Sequence, residues 1–205
     1  MKKSDSELFV HWAHEAGRLG LVKCSSGNMS QRLDDGTLLI SGTGTWLSEI
    51  SINEISHITV NQEETFNDVK PSAEILLHSQ IYQNRPDINT ILHFQSPSAT
   101  AIACMEFSPD YNVIIEVPIY IGKIGNVPYI PPGTKELAAA VSVQINHSDL
   151  VQLANHGQVV CGKNYKETIQ KAVFFELACS ILIMSNFTAK ALPIAAIEKL
   201  KEYKI

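Results

Sequence analysis

The spacing of apolar and polar positions changes several times along the chain, and each change marks an element. Leu8, Phe9, Trp12, Ala13, Ala16 and Leu19 recur at helical spacing, which predicts a helix over residues 6–19 stopped by Gly20. Two strand-like runs follow, Asn28 to Leu33 and Thr37 to Ser41, and the Asp34-Asp35-Gly36 between them predicts a hairpin. Ser56 to Val60 reads as a further short strand. Pro71-Ser72-Ala73-Glu74 is expected to open a helix running to about Asn84, because proline lacks only an N–H that the first turn leaves unpaired. Asn89 to His93 reads as a buried strand, Ser96-Pro97 as the start of a helix to about Met105, and Asn112 to Tyr120 as strand. Gly133-Thr134 caps a helix to about Asn146, and Leu150 to Ala154 and Gln158 to Cys161 are strands around the turn Asn155-His156-Gly157. Asn164 caps a long helix to about Ser185, with Glu167 in capping-box position and the apolar set Ile169, Val173, Leu177 and Ile181 on one side. A last helix is expected from Ile194 to Tyr203. Helices interleaved with short, often adjacent strands predict an α/β fold with a largely antiparallel sheet covered by helices.

No repeat, low-complexity tract or linker divides the 205 residues, so one domain over 1–205 is expected, and 45% hydrophobic residues can fill its core. The formal net charge of -5, with no basic stripe, argues against a nucleic-acid partner. Met1-Lys2-Lys3-Ser4-Asp5 is followed by no signal-type apolar core, and stretches such as Leu177 to Met184 are too short to span a bilayer. No membrane partner is therefore expected, and the cytoplasm is the default. Cys24, Cys104, Cys161 and Cys179 lack CxxC spacing; they read as free thiols, buried except for Cys24 beside its Ser-Ser-Gly loop.

Chemistry enters with His93 and His156, each at the end of a predicted buried strand, where side chains emerge into a cleft. Alternation along an extended chain puts His93 and Gln95 on one side and Phe94 on the other. Two imidazoles and a third ligand suit zinc or a neighbouring metal; two unrelated core histidines would show the same spacing. Glu74 equally fits a first-turn carboxylate favoured by the helix dipole, and His78, four residues on, a packing histidine. The loops Ser25-Ser26-Gly27-Asn28 and Ser41-Gly42-Thr43-Gly44, with Ser72 at a helix start, offer hydroxyls and N–H groups suited to a phosphate. Neither is a Walker A loop, and no GxGxxG is present.

Taken in order, these segments resemble the class II aldolase/adducin superfamily, nearest to its L-fuculose-phosphate aldolase type. The likeness rests on Gly27-Asn28-Met29-Ser30-Gln31-Arg32, Leu39-Ile40-Ser41-Gly42-Thr43-Gly44, Lys70-Pro71-Ser72-Ala73-Glu74 with His78, Tyr82 with Arg85-Pro86-Asp87 and Ile91-Leu92-His93, Pro132-Gly133-Thr134-Lys135-Glu136-Leu137, and Asn155-His156-Gly157 with Gly162. The resemblance implies a three-layer α/β/α fold with a central, largely antiparallel sheet, a homotetramer with active sites between subunits, and a zinc or other divalent metal ion. It implies His93 and His156 as metal ligands, Glu74 as acid/base with its pKa raised by burial, and Gly27, Asn28, Thr43, Gly44 and Ser72 around the phosphate of a small phosphorylated sugar. A tyrosine from a neighbouring subunit completes the family's site; Tyr120 and Glu116 are the candidates here.

One residue departs from that pattern. Gln95 stands where the family's HxH supplies a second histidine, and an amide carbonyl is a weaker, harder ligand than imidazole. The implied activity is cleavage of a ketose 1-phosphate to dihydroxyacetone phosphate and an aldehyde. The alternatives are epimerisation or dehydration with the same apparatus, or a non-catalytic, adducin-like interaction module.

Overall fold

The computed structural model describes residues 2–200. Its seven strands are β1 (Asn28–Arg32), β2 (Thr37–Ser41), β3 (Ile55–Thr59), β4 (Thr90–Phe94), β5 (Ile124–Val127), β6 (Leu150–Leu153) and β7 (Gly157–Gly162). They form one sheet in the order β3-β2-β1-β4-β7-β6-β5. Every neighbouring pair is antiparallel except β5 with β6, which is parallel. The α/β class and the mostly antiparallel sheet are as expected, and the parallel edge makes it mixed. β5 was missed because its only cue, Ile124-Gly125-Asn126-Val127, carries a glycine and an asparagine, both poor strand formers.

The helices are α1 (Lys3–Arg18), α2 (Ile75–Asn84), α3 (Pro97–Ala103), α4 (Lys135–Ile145), α5 (Tyr165–Met184) and α6 (Ile194–Leu200). Alternation along the strands divides the apolar residues between two cores. Met29, Leu39, Leu92 and Val160 meet Phe9 of α1, Ile102 of α3 and Phe175 of α5. Leu38, Ile40, Ile91 and Val159 meet Ile81 of α2 and Val141 of α4. The cover is uneven rather than a strict third layer, since α2 and α4 pack largely on each other. Among the described residues no helix is long and apolar enough to cross a membrane.

Several expectations need correction. Asn112 to Tyr120 is not a strand: it is a turn leading into a π-helical turn, Val117–Ile121. Pro118 has no N–H for a ladder, and Val117 and Ile121 instead pack in the core beside Phe175. The helix expected from Pro71 begins only at Ile75, because Pro71 is held in a bridge to Gly42. On α5 the buried residues include Ile169, Ala172, Phe175, Cys179 and Leu182, whereas Leu177 is 44% exposed. That helix is apolar on most sides, so periodicity alone could not choose its face. Cys104 is exposed like Cys24, while Cys161 and Cys179 are buried. Residues 201–203 of the last expected helix lie outside the described residues.

Candidate active site

Three elements bring Glu74, His93 and His156 together. Antiparallel pairing aligns Asn28 with His93 and His93 with Val159, so β1, β4 and the turn before β7 end on the same side of the sheet. Asn155 takes a left-handed conformation (φ 56°) that turns the chain and presents His156. Gly157 is required there, because a Cβ would lie 2.6 Å from the Phe94 carbonyl oxygen and 2.7 Å from Gln95 Cγ. Gly27 (φ 99°) passes as close to β4, its absent Cβ lying 2.6 Å from the His93 carbonyl oxygen. Glu74 is the residue immediately before α2, and its N–H is accepted by Ser72 Oγ at 3.3 Å.

The distances within the group are short. Glu74 Oε2 lies 3.2 Å from His93 Nε2, and Oε1 lies 3.5 Å from His156 Nε2. The candidate ligand atoms of the three residues all fall within 4.8 Å of one another. His93 Nδ1 donates to the Gln158 carbonyl at 2.9 Å, which makes Nε2 the ring nitrogen aimed at the carboxylate. Glu74 Oε1 and His156 Nδ1 are buried without hydrogen-bond partners. Lone pairs of one carboxylate and two imidazoles facing each other repel unless a cation lies between them. The donor set therefore fits a divalent ion.

Burial, the largest single influence on Glu74, pushes its carboxyl upward. His93, the Asn28 amide, His156 and His78 together outweigh it and hold the group below the ordinary carboxylate value. The elevated pKa expected from burial is thus not found. His156 is held down, first by burial and then by His93, which keeps it a neutral imidazole able to ligate.

A cavity of about 260 Å³ opens over this group. Gly27, Asn28, Thr43, Gly44, Ser72, Glu74, His93, Gln95 and His156 all line it. Of the residues that the resemblance assigned to the site, Tyr120 and Glu116 lie elsewhere. Tyr120 sits in the π-helical turn with its ring 5.2 Å from that of Phe174. Gln95 keeps its place next to His93, and α3 starts just after it, with the N–H groups of Ser98 and Ala99 accepted by Glu176 of α5 at 2.9 and 2.8 Å. Among the described residues, the N–H groups of Gly44 and Ala73 donate to no backbone carbonyl, which suits an anion.

Sequence reasoning missed the group behind Glu74. Asn28 Nδ2 donates to Glu74 Oε2 at 3.0 Å, and Asn28 Oδ1 meets His78 Nε2 at 2.5 Å. Ser30 Oγ then joins His78 Nδ1 at 2.6 Å to the Tyr82 hydroxyl at 2.8 Å. The signal was two matching periods, Asn28 and Ser30 at strand spacing facing Glu74, His78 and Tyr82 at helical spacing.

A family model, Class II Aldolase and Adducin N-terminal domain, matches residues 7–183. The 3-oxo-tetronate 4-phosphate decarboxylase of Escherichia coli O6:H1 is 36% identical over 152 residues, 72% of this chain and 71% of that protein. The L-fuculose phosphate aldolase of Haemophilus influenzae is 27% identical over 197 residues, 96% of this chain and 90% of that one. The crystal structure of YgbL from Escherichia coli superposes with a TM-score of 0.89 at 28% identity, covering 97% of this chain and 98% of that one. On the length of that match, the sheet, and the carboxylate and imidazoles gathered at its end, the chain belongs to the Class II Aldolase and Adducin N-terminal domain family.

Proposed function

We propose that this protein is a metal-dependent carbon–carbon lyase that decarboxylates a small phosphorylated 3-oxo sugar acid and leaves the enediolate of a triose phosphate. The observation that carries the reading is the convergence of Glu74, His93 and His156 on the floor of a cavity walled by small-residue loops. Its 36% identical relative, named for that class of substrate, supports it.

His93, His156 and Glu74, with Gln95 beside them, would hold a zinc or other divalent ion. When bound, such an ion supplies Lewis-acid polarisation of a ketone oxygen. Gly27, Asn28, Thr43, Gly44 and Ser72 would cradle the phosphate and fix the distance from it to the ketone. The carboxylate carbon leaves as carbon dioxide, and the electron pair of the broken bond passes into the adjacent carbon–carbon double bond of the enediolate. Glu74, having taken a proton from solvent, delivers it to that carbon to give the hydroxymethyl ketone. The leaving carbon dioxide needs neither a base nor an acid. One carboxylate therefore suffices, and Glu74 is the only carboxylate lining this cavity among the described residues.

Aldol cleavage of a ketose 1-phosphate is the second reading, favoured by the near full-length likeness to L-fuculose phosphate aldolase. It passes through the same enediolate but also needs a proton taken from the hydroxyl that becomes the aldehyde. Tyr120, packed against Phe174, could serve that role only in the site of a neighbouring copy, as a homotetramer would allow. The test supplies the metal-loaded protein with a four-carbon 3-oxo acid 4-phosphate and, separately, with ketose 1-phosphates. Triose phosphate with equimolar carbon dioxide supports decarboxylation, and triose phosphate with an aldehyde supports the second reading. No product from either, with metal bound, rejects both.

A further inference from the structure

Behind Glu74 and the cavity wall to which Asn28 belongs, the side chains continue inward: Asn28, His78, Ser30 and Tyr82 are 7%, 0%, 0% and 2% exposed. They form a single file of hydrogen bonds, and the direction of each proton in it can be worked out. The Asn28 NH2 is turned toward Glu74 and donates to Oε2 at 3.0 Å. Asn28 Oδ1 then faces His78 Nε2, which must carry the ring proton. His78 is completely buried and its two ring nitrogens meet only the uncharged Asn28 and Ser30, so the neutral ring is favoured and Nδ1 is bare. Ser30 therefore donates to Nδ1, which leaves its oxygen free to accept from Tyr82 at 2.8 Å, a shorter contact than the one the same Tyr82 hydroxyl makes to the Asn89 carbonyl at 3.3 Å. Burial raises the Tyr82 phenol, so it remains a donor. The guanidinium of Arg32 over its ring, 4.8 Å from the centroid, closes the far end.

We propose that Tyr82, Ser30 and His78 are positioning residues, a one-way donor chain that fixes the Asn28 amide and pins Oε2 of Glu74, so that Oε1 is the oxygen that exchanges protons with the substrate. Two observations converge on it: the buried contacts run unbroken from Tyr82 through Ser30, His78 and Asn28 to Oε2 of Glu74, and Oε1 is the carboxylate oxygen without a hydrogen-bond partner. Bonds aligned head to tail polarise one another, so the far hydroxyl acts at the carboxylate through three intermediaries. A reversed Asn28 amide would set its carbonyl against Glu74 and turn the carboxylate. The proposal rests on the lyase reading for its catalytic consequence, but the donor chain itself does not.

The experiment uses intact, zinc-loaded protein with 15N-labelled histidine, beside His78→Leu, His78→Gln and Tyr82→Phe. A long-range proton–nitrogen correlation reads the His78 tautomer, and kcat and KM are measured on whichever phosphorylated substrate the wild type turns over. The expected tautomer is Nε2–H at neutral pH; an Nδ1–H ring or an imidazolium overturns the chain whatever the reaction is. His78→Leu should lower kcat about tenfold or more with KM within about twofold, and His78→Gln, which keeps a donor for Asn28, should recover most of the loss. Folded His78→Leu with wild-type kcat overturns the proposal. If His78→Leu does not fold, Tyr82→Phe decides, with a kcat loss of about two- to fivefold expected and no loss overturning it. A wild type that turns over no sugar phosphate defeats the lyase reading, while the tautomer still decides the chain.

Discussion

Two clusters of charged side chains sit at opposite ends of β4 and β7, and they are built on opposite principles. At the Thr90–Gly162 end, Lys171 directs its ammonium to Asp149 at 2.8 Å, Glu167 at 2.7 Å and the Cys161 carbonyl at 3.3 Å, so all three of its protons have acceptors. Arg85 beside it reaches Asp87, Asp149 and the Ile145 carbonyl. At the other end, Glu74, His93 and His156 bring lone pairs together, with Glu74 Oε1 unpartnered. The first cluster is complete within the chain, and the second is completed only by something brought to it. Buried polar groups are nearly always satisfied, so the unsatisfied cluster, not the larger one, marks the functional end.

The strongest test of this contrast is Glu74→Gln. The amide keeps an acceptor for Asn28 but cannot exchange a proton at physiological pH. We expect kcat to fall about 10²–10⁴-fold, the range of a lost general acid–base group. Thermal stability should change little or fall slightly, since the amide keeps the Asn28 contact but loses the interactions that favour the carboxylate. Near-normal kcat with full metal content would remove Glu74 from the chemistry.

Metal comes next in size. An ion that binds only the folded chain stabilises it by about 2.7 kcal/mol at a hundred times its dissociation constant. Zinc, manganese or cobalt should therefore raise the melting temperature, and plasma mass spectrometry should find about one ion per chain. His156→Ala should abolish both effects. If no ion binds the wild type, Gln95 has disabled the site and the second cluster needs another explanation.

The two clusters also differed in how far the sequence revealed them. The strand ends at His93 and His156, the small-residue loops and the cap at Asn164 announce themselves locally, through spacing and turn chemistry. The unpaired state of Glu74 Oε1 is not local, because it depends on β1, β4 and α2 meeting in register. Burial alone suggested a raised Glu74 pKa; the Asn28 amide and the histidines that reverse it arrive from four different segments. The same reasoning explains Asn112 to Tyr120, where a β-branched run found no strand partner and Pro118 barred a ladder.

A third test turns to the completed cluster. Lys171→Met removes the ammonium from between Asp149 and Glu167. Breaking a fully buried pair costs about 3–5 kcal/mol, but the Asp149 and Glu167 side chains are 29% and 34% exposed and can rehydrate. Asp149 also keeps Arg85 at 2.9 Å. We expect a loss of about 2 kcal/mol in denaturant unfolding and a kcat within about twofold of wild type. A large fall in kcat at unchanged stability would mean that this cluster is functional too.

The smallest expected effect is the most discriminating about where one cluster's influence stops. Asn164 precedes α5 in extended geometry (φ -158°, ψ 168°), and its side-chain oxygen accepts from the Glu167 N–H at 2.9 Å. Asn164→Ala removes that cap and should cost about 1 kcal/mol, seen as a lower urea midpoint at unchanged slope. The first turn it frays carries Glu167, one of the two carboxylates on Lys171. The opposite half of the same helix carries Glu176, which holds the start of α3 next to Gln95. Fraying falls off within about a turn, and Glu176 lies nine residues beyond Glu167 on a single helix. The loss should therefore stay at the Lys171 end and leave kcat and metal content unchanged. If kcat falls with the midpoint, α5 transmits between the two clusters, and their separation into a structural and a functional end is wrong.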